Sequence, residues 1–252
     1  MKKNILISTI LSIIFSFLFP LSFASAANED YSMIDINNKK KLSAYEMELL
    51  DELYQIAPDL YNPDDNIVSV SKTDYDFDEE GNASEIMPYG TIPTSDMSLI
   101  VVVSKISSNR FSVKTTATWK IEPFFQKRDV LGIAWGRSQT ITSSSIVERY
   151  KNGDVSYLGY PINSTPNAGI VYEFPMRKVL NPTSGLDTPL SSVTLTATLQ
   201  TNNTGSTNVV SKYGHAMTSI GGFGVSISGS PSISLSISGT YDEAIKYTYF
   251  NH

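Results

Sequence analysis

The 252-residue chain has no cysteine, a formal net charge of -6 and a charged fraction of 17%. Without a thiol there is no thiolate nucleophile, no thiolate metal site and no disulfide-stapled scaffold. Overall acidity and the lack of a nucleic-acid motif argue against a nucleic-acid partner.

In chain order, Lys2 and Lys3 precede a long apolar run over residues 5–23, and Ala24-Ser25-Ala26 puts small residues where a signal peptidase reads. The expectation is a signal peptide over residues 1–26 and a secreted, extracellular product beginning near Ala27. The run approaches the ~18 to 20 residues that span a bilayer, so an uncleaved anchor is the alternative. Pro20 and the small-residue site favour cleavage.

Charge is unevenly spread. Residues 27–97 hold 17 acids against 4 bases, whereas residues 98–252 hold 13 bases against 8 acids. The acidic part reads either as a solubilising leader or as a segment that docks on and masks the basic remainder.

Within the acidic part, Ser43 and Glu46 form a capping box, with Leu42 and Met47 spaced as a hydrophobic staple. Tyr45, Leu49, Leu53 and Ile56 recur at helical spacing and Pro58 ends the pattern, predicting an amphipathic helix over residues 44–57 that packs on the core. Residues 61–97, acidic and interrupted by Pro63, Pro88 and Pro93, read as a loosely ordered connector. Inside it, Asp76-Phe77-Asp78-Glu79-Glu80-Gly81 resembles the start of an EF-hand loop. The twelfth position is Met87, however, so a turn at Glu80-Gly81-Asn82 is expected in place of a metal site, with no metal ligands assigned.

From residue 98 onward the composition is that of β-structure. Residues 99–103 form a continuous apolar run suited to a strand buried on both faces. Over residues 111–121, Phe111, Val113, Thr115, Ala117, Trp119 and Ile121 share a core face, while Ser112, Lys114, Thr116, Thr118 and Lys120 share a face expected to meet water. Asn152-Gly153 lies between two strand-like runs and predicts a hairpin with a type I′ turn. Alternation returns over residues 191–200, and again over residues 225–238 around a turn at Gly229-Ser230-Pro231. Short strands divided by turn signals predict an all-β fold, a predominantly antiparallel β-sandwich preceded by a short N-terminal helix. The expected organisation is residues 1–26 as signal peptide, 27–97 as acidic helix and connector, and 98–252 as the β-sandwich domain.

Few residues offer chemistry. His215 is the one histidine besides the terminal His252, and no Gly-x-Ser-x-Gly elbow exists, so no catalytic residue is assigned. A structural hydrogen-bonding role is expected for His215. Trp119 is expected in the core and Trp135 is left open between core and a sugar platform. A basic group of Arg110, Lys114, Lys120, Lys127 and Arg128 is the candidate binding site for an anionic cell-envelope polymer or another protein, or else protects a sheet edge from aggregation. The alternation over residues 191–200 and 225–238 also resembles the inserting hairpins of β-pore-forming toxins, which need strands of ~9 to 11 residues.

Trp119-Lys120-Ile121-Glu122-Pro123, Arg128-Asp129-Val130, Trp135 and Lys212-Tyr213-Gly214-His215 together resemble a diffuse set of uncharacterised secreted proteins of Gram-positive bacteria. The resemblance implies an extracellular location and carries over no catalytic residue or cofactor. The functional expectation is a secreted, non-enzymatic binding or surface-associated protein with no cofactor. The alternative is a membrane-active pore former restrained by its acidic segment; an extracellular hydrolase comes third.

Overall fold

The computed structural model describes residues 42–62, 65–75, 89–91, 96–136, 138–217, 222–228 and 230–252. The predicted signal peptide and the acidic loop at residues 76–81 lie outside the described residues.

Helix α1, Ala44–Ile56, starts as its cap requires: the Glu46 backbone N–H donates to Ser43 Oγ, and the Ser43 N–H donates to the Glu46 carboxylate at 2.8 Å. Its buried face is Leu49, Leu50 and Leu53. Tyr45, expected on that face, is 57% exposed, because Leu50 takes the inward position.

Among the described residues fifteen strands follow: β1 Ile67–Tyr75, β2 Tyr89–Thr91, β3 Met97–Ser107, β4 Arg110–Trp119, β5 Arg128–Trp135, β6 Gln139–Tyr150, β7 Val155–Leu158, β8 Asn163–Thr165, β9 Gly169–Pro175, β10 Arg177–Asn181, β11 Leu186–Thr201, β12 Ser206–Ala216, β13 Gly224–Ser228, β14 Ser232–Ser236 and β15 Tyr241–Asn251. The first sheet runs β1-β3-β4-β11-β6-β7, with β10 paired to the start of β11; the second runs β2-β15-β12-β5-β9-β8. All pairings are antiparallel except the short one between β2 and β15. The fold is thus all-β with one short N-terminal helix, as expected.

The two sheets stack around one large core in which Phe111, Val113, Ala117 and Trp119 of β4 meet Val209 and Tyr213 of β12 and Phe250 of β15. Hydroxyl pairs cross the interface too, with Thr115 Oγ1 and Ser211 Oγ 2.6 Å apart. Trp135 is fully buried, and its indole N–H donates to the Gln139 carbonyl at 3.2 Å, which settles it as a core residue.

The outer face of the first sheet does not meet water as the alternation implied. Thr116 is fully buried there, its Oγ1 2.7 Å from the Tyr61 hydroxyl, and Ser112 is buried as well. A second core forms under this cover from Leu49, Leu50, Leu53, Ala57 and Tyr61 against Ile100 and Val102 of β3. Threonine suits a buried, hydrogen-bonded site as well as a wet one, so periodicity could not separate the two.

The expected loose connector needs correcting over residues 67–75. Ile67–Tyr75 is a strand paired along β3, with one register shift between Ile67 and Ser69, so these connector residues extend the first sheet while α1 packs on its outer face. Acids of this region pair with bases beneath them: Lys114 with Asp65 at 3.0 Å, Lys72 with Glu52 at 2.8 Å, and Arg149 with Asp59. The Asn152-Gly153 hairpin is where it was expected, but the Gly153 N–H donates to the Tyr150 carbonyl and the Tyr150 N–H to the Asp154 carbonyl. That is a three-residue loop closed by Gly153 at φ 89°, not a two-residue type I′ turn.

Residues 191–200, considered as an inserting strand, are instead the middle of β11, flanked by β4 and β6. Val193, Leu195, Ala197 and Leu199 are fully buried. They are the centre of the sandwich.

Candidate functional site

One element stands apart from both sheets. Among the described residues, strands β13 and β14 pair only with each other, from Gly224↔Ser236 to Ser228↔Ser232, and lie on the outer face of the second sheet. The segment they belong to, residues 217–240, contains no charged residue. Its alternation sorts the side chains cleanly: Val225, Ile227, Ile233 and Leu235 turn inward, whereas Ser226, Ser228, Ser232, Ser234 and Ser236 are exposed.

The inward face sits on a seat made flat by glycine. A Cβ at Gly214 of β12 would stand 2.6 Å from Leu235 Cδ1, one at Gly132 of β5 2.7 Å from Ile233 Cδ1, and one at Gly169 of β9 2.8 Å from Ile227 Cγ2. Three strands therefore each give up a side chain where the hairpin lies. Around them, Val130, Ala134, Val171 and Val210 complete a third apolar cluster.

Side-chain hooks hold the hairpin's backbone. Asn163 Nδ2 donates to the Val225 carbonyl at 2.8 Å, and the Tyr241 hydroxyl donates to the Leu235 carbonyl at 2.8 Å. The Phe223 N–H donates to Glu173 Oε2 at 3.1 Å, and Glu173 is itself paired with Arg128. The hairpin is inserted between two partners of one ladder. β12 and β15 pair up to Ala216↔Tyr241, and the Met217 N–H donates to the Thr240 carbonyl at 3.0 Å, one step beyond. Beyond that step the chain doubles back across the sheet, placing Leu235 over Gly214 and Ile227 over Gly169.

Beside this hinge lies a buried polar group. Asp129, Tyr213 and His215 are all fully buried. The Trp119 indole N–H donates to the Tyr213 hydroxyl at 2.9 Å, and that hydroxyl donates to Asp129 Oδ2 at 2.5 Å. His215 Nδ1 lies 2.9 Å from the same carboxylate, whose other oxygen accepts the Ala216 N–H at 3.1 Å. Burial, then the Asp129 charge, pushes the Tyr213 hydroxyl well above its usual value. Burial also raises the carboxyl of Asp242, opposite His215 across the ladder, with His215 acting against that rise. The arrangement secures the end of β12, and it contains no serine or cysteine nucleophile. Among the described residues, no three His, Cys, Asp or Glu side chains gather as metal ligands would.

The basic group expected from the sequence is dispersed. Arg110 is exposed at the start of β4, and Lys120 is exposed just past its other end, about 33 Å away at ~3.3 Å per residue. Lys114, between them, turns into the molecule, its Nζ donating to the Leu60 carbonyl at 2.5 Å and to Asp65. Lys127 and Arg128 are exposed near Lys120's end. The sequence reading missed Asp129 as the partner of His215, since the two meet only across paired strands. A carboxylate directly ahead of the buried run Val130 to Trp135 was the available signal.

No protein-family model matches the chain, and no curated protein does. Solved structures that align with it include a protein described as AvmM, which catalyses macrocyclization in alchivemycin A biosynthesis, at 10% identity over 75% of this chain and 89% of that one, TM-score 0.30. Clostridium perfringens delta-toxin aligns at 8% identity over 73% and 88%, TM-score 0.30. The C-terminal domain of the Streptococcus agalactiae AgI/II polypeptide BspA aligns at 5% identity over 59% and 58%, TM-score 0.26. At such scores the likenesses carry no argument about activity.

Proposed function

We propose that the chain is a secreted, non-enzymatic, membrane-active protein whose inserting element is the segment 217–240. The observation that supports this is an uncharged, two-faced hairpin folded back on a glycine seat at the end of two neighbouring strands. Swung out, its arms 217–228 and 230–240 each reach the ~9 to 11 residues of a membrane-crossing strand. At ~3.3 Å per residue an arm extends about 36 Å, against a hydrocarbon core of ~30 Å.

The side chains suit that destination. Phe223, Val225, Ile227, Ile233, Leu235 and Ile237 would face lipid, and the serines would face a water-filled interior. No charge has to leave water. A single hairpin leaves unpaired backbone edges in lipid, so several copies must close a ring, which makes a homo-oligomer part of the reading. Restraint is assigned to the glycine seat, because α1 covers the first sheet and the hairpin covers the second.

Dye release from liposomes tests this, and the cysteine-free background allows a clean lock. In Gly214→Cys with Leu235→Cys, the oxidised protein should release no dye and the reduced protein, its seat loosened, should release it at least as readily as the parent does. Absence of leakage by the parent across lipid compositions and pH would remove the proposal, leaving a binding protein that does not insert.

A further inference from the structure

The two sheets end together at one margin. Hydroxyls of Ser71 on β1 and Thr248 on β15 lie 3.0 Å apart, and those of Ser144 on β6 and Tyr172 on β9 also 3.0 Å, so the sheets are stacked in matching strand order. The last strand of the first is β7, the last of the second is β8, and residues 159–162 join them. Among the described residues each pairs on one side only, β7 with β6 and β8 with β9. An open strand edge is where a further strand adds, and proteins ordinarily guard it with charge. This margin lacks that guard, since residues 155–172 contain no charged side chain.

The margin also presents apolar surface. Tyr160 is 90% exposed, Tyr157 67%, Ile162 45% and Val155 42%. The charges that flank β7 are already matched: Arg149 with Asp59, Asp154 with Lys178 at 2.9 Å, and Lys151 with Glu122 at 3.0 Å. The acid-rich connection 76–88 leaves from β1 and arrives at β2, the edge strands of the opposite margin.

Strand β7 is complementary to a copy of itself. The Tyr150 N–H donates to the Asp154 carbonyl at 3.0 Å, and bonded pairs recur at every second residue of an antiparallel ladder, so Glu148↔Ser156 is the next bonded pair. The backbone N–H and C=O of Val155 and Tyr157 therefore point away from β6, toward the margin. A two-fold axis through Ser156, perpendicular to the sheet, places Val155 of each copy opposite Tyr157 of the other. These are the residues whose backbone groups face outward, and their side chains share one face, so each pair gains ladder bonds and a contact between a ring and a β-branched side chain. The same axis keeps both second sheets on one side, which brings β8 toward its own copy.

Covering the two tyrosines hides roughly 300 Å² per copy at ~200 Å² per fully covered ring, against ~800 Å² per partner in a stable complex. Val155, Ile162 and the strand edges add to this, and the sum suits a pair that dilution separates. We infer that β7 is a docking edge for a second copy of this chain, joined antiparallel about Ser156 so that the first sheet runs on through the pair. The inference stands on this margin alone. It concerns the chain in solution and does not depend on insertion of the segment 217–240.

Sedimentation equilibrium of the full chain without lipid, over a wide concentration range, measures the association. The average mass of the parent should rise with concentration toward twice that of the monomer. Val155→Lys with Tyr157→Lys sets like charges opposite each other in both pairs and should weaken association at least about tenfold with an unchanged melting profile. Val155→Lys with Tyr157→Glu sets opposite charges there and should restore it. Ser156→Cys, on the axis of a chain without native cysteine, should form an interchain disulfide on oxidation much faster than Ser143→Cys, which is exposed on β6. A parent that stays monomeric up to ~1 mM, equal association of the lysine variant, no recovery in the glutamate variant, or equal crosslinking of the two cysteine variants would each overturn the inference. So would a monomeric parent retained on an immobilised polysaccharide through Tyr157 and Tyr160, which would make this margin a sugar platform.

Discussion

Leu235 of the hairpin lies on Gly214 of β12 with room for a hydrogen and none for a methyl group. A Cβ at Gly214 would stand 2.6 Å from Leu235 Cδ1, 2.9 Å from Val130 Cγ2 on β5 and 3.3 Å from a Phe223 ring carbon, so two of the three crowded side chains belong to the hairpin segment. Gly214→Val should therefore lift the hairpin while the sandwich stays folded. The overpacking costs about 1–3 kcal/mol. Limited proteolysis should cut within residues 217–240 much sooner than in the parent, and equal cutting rates would mean that the seat does not hold the hairpin.

Asp129 receives the Tyr213 hydroxyl, His215 and the Ala216 N–H in a site without water access. Asp129→Ala strands all of them and should lose about 3–5 kcal/mol, as when one partner of a buried charged pair is removed. Denaturant unfolding followed by tryptophan fluorescence reports it directly, since Trp119 belongs to the same chain of bonds. His215→Ala should likewise lower stability. Neither variant is expected to abolish an activity in a protein that remains fully stable.

Burial raises the carboxyls of Glu148 and Asp242 above the ordinary range. A carboxyl raised in this way favours the fold when protonated. Its contribution is complete below the unfolded value, around 4, and is lost as pH rises through the folded value. Glu148→Gln keeps an acceptor for the Tyr150 hydroxyl, now 2.7 Å from the Glu148 carboxylate. The variant should melt higher than the parent near neutral pH, and the gain should fade on acidification. Thermal melts at several pH values decide it; parallel profiles would count against the buried charge.

Tyr61 closes the helical cover with a buried hydrogen bond to Thr116, whose Oγ1 also lies 2.8 Å from Thr194 Oγ1. Tyr61→Phe should cost about 1 kcal/mol, and amide exchange should accelerate in α1 before it does in β11. Simultaneous acceleration in both would show the helix and sheet to be one cooperative unit.

Local signals carried a good part of this architecture. The Ser43–Glu46 cap, the inward face of β4 and the position of the Asn152-Gly153 hairpin each depend on neighbours within a few residues, and each is present. What covers a sheet is a long-range matter. Thr116 looks solvent-facing until Tyr61 is placed on it, and the parallel pairing of β2 with β15 leaves no local mark. The hairpin's alternation was legible, but its seat needed Gly132, Gly169 and Gly214 brought together from three strands. The dispersal of the basic group has the same origin: Arg110 and Lys120 are ten residues apart in sequence and lie at opposite ends of a strand.

The two outer coverings of the sandwich are fastened by different forces. Ion pairs at Lys114, Lys72 and Arg149 help fasten α1 and its loop, whereas the hairpin rests on apolar contact with no charge of its own. Counter-ion screening weakens the first kind of fastening, and salting-out ions tighten the second. Concentrated sulfate should therefore clamp the hairpin more than α1, whose gain on its apolar face is partly offset by the screening of its ion pairs, so the two shells respond unequally to one salt.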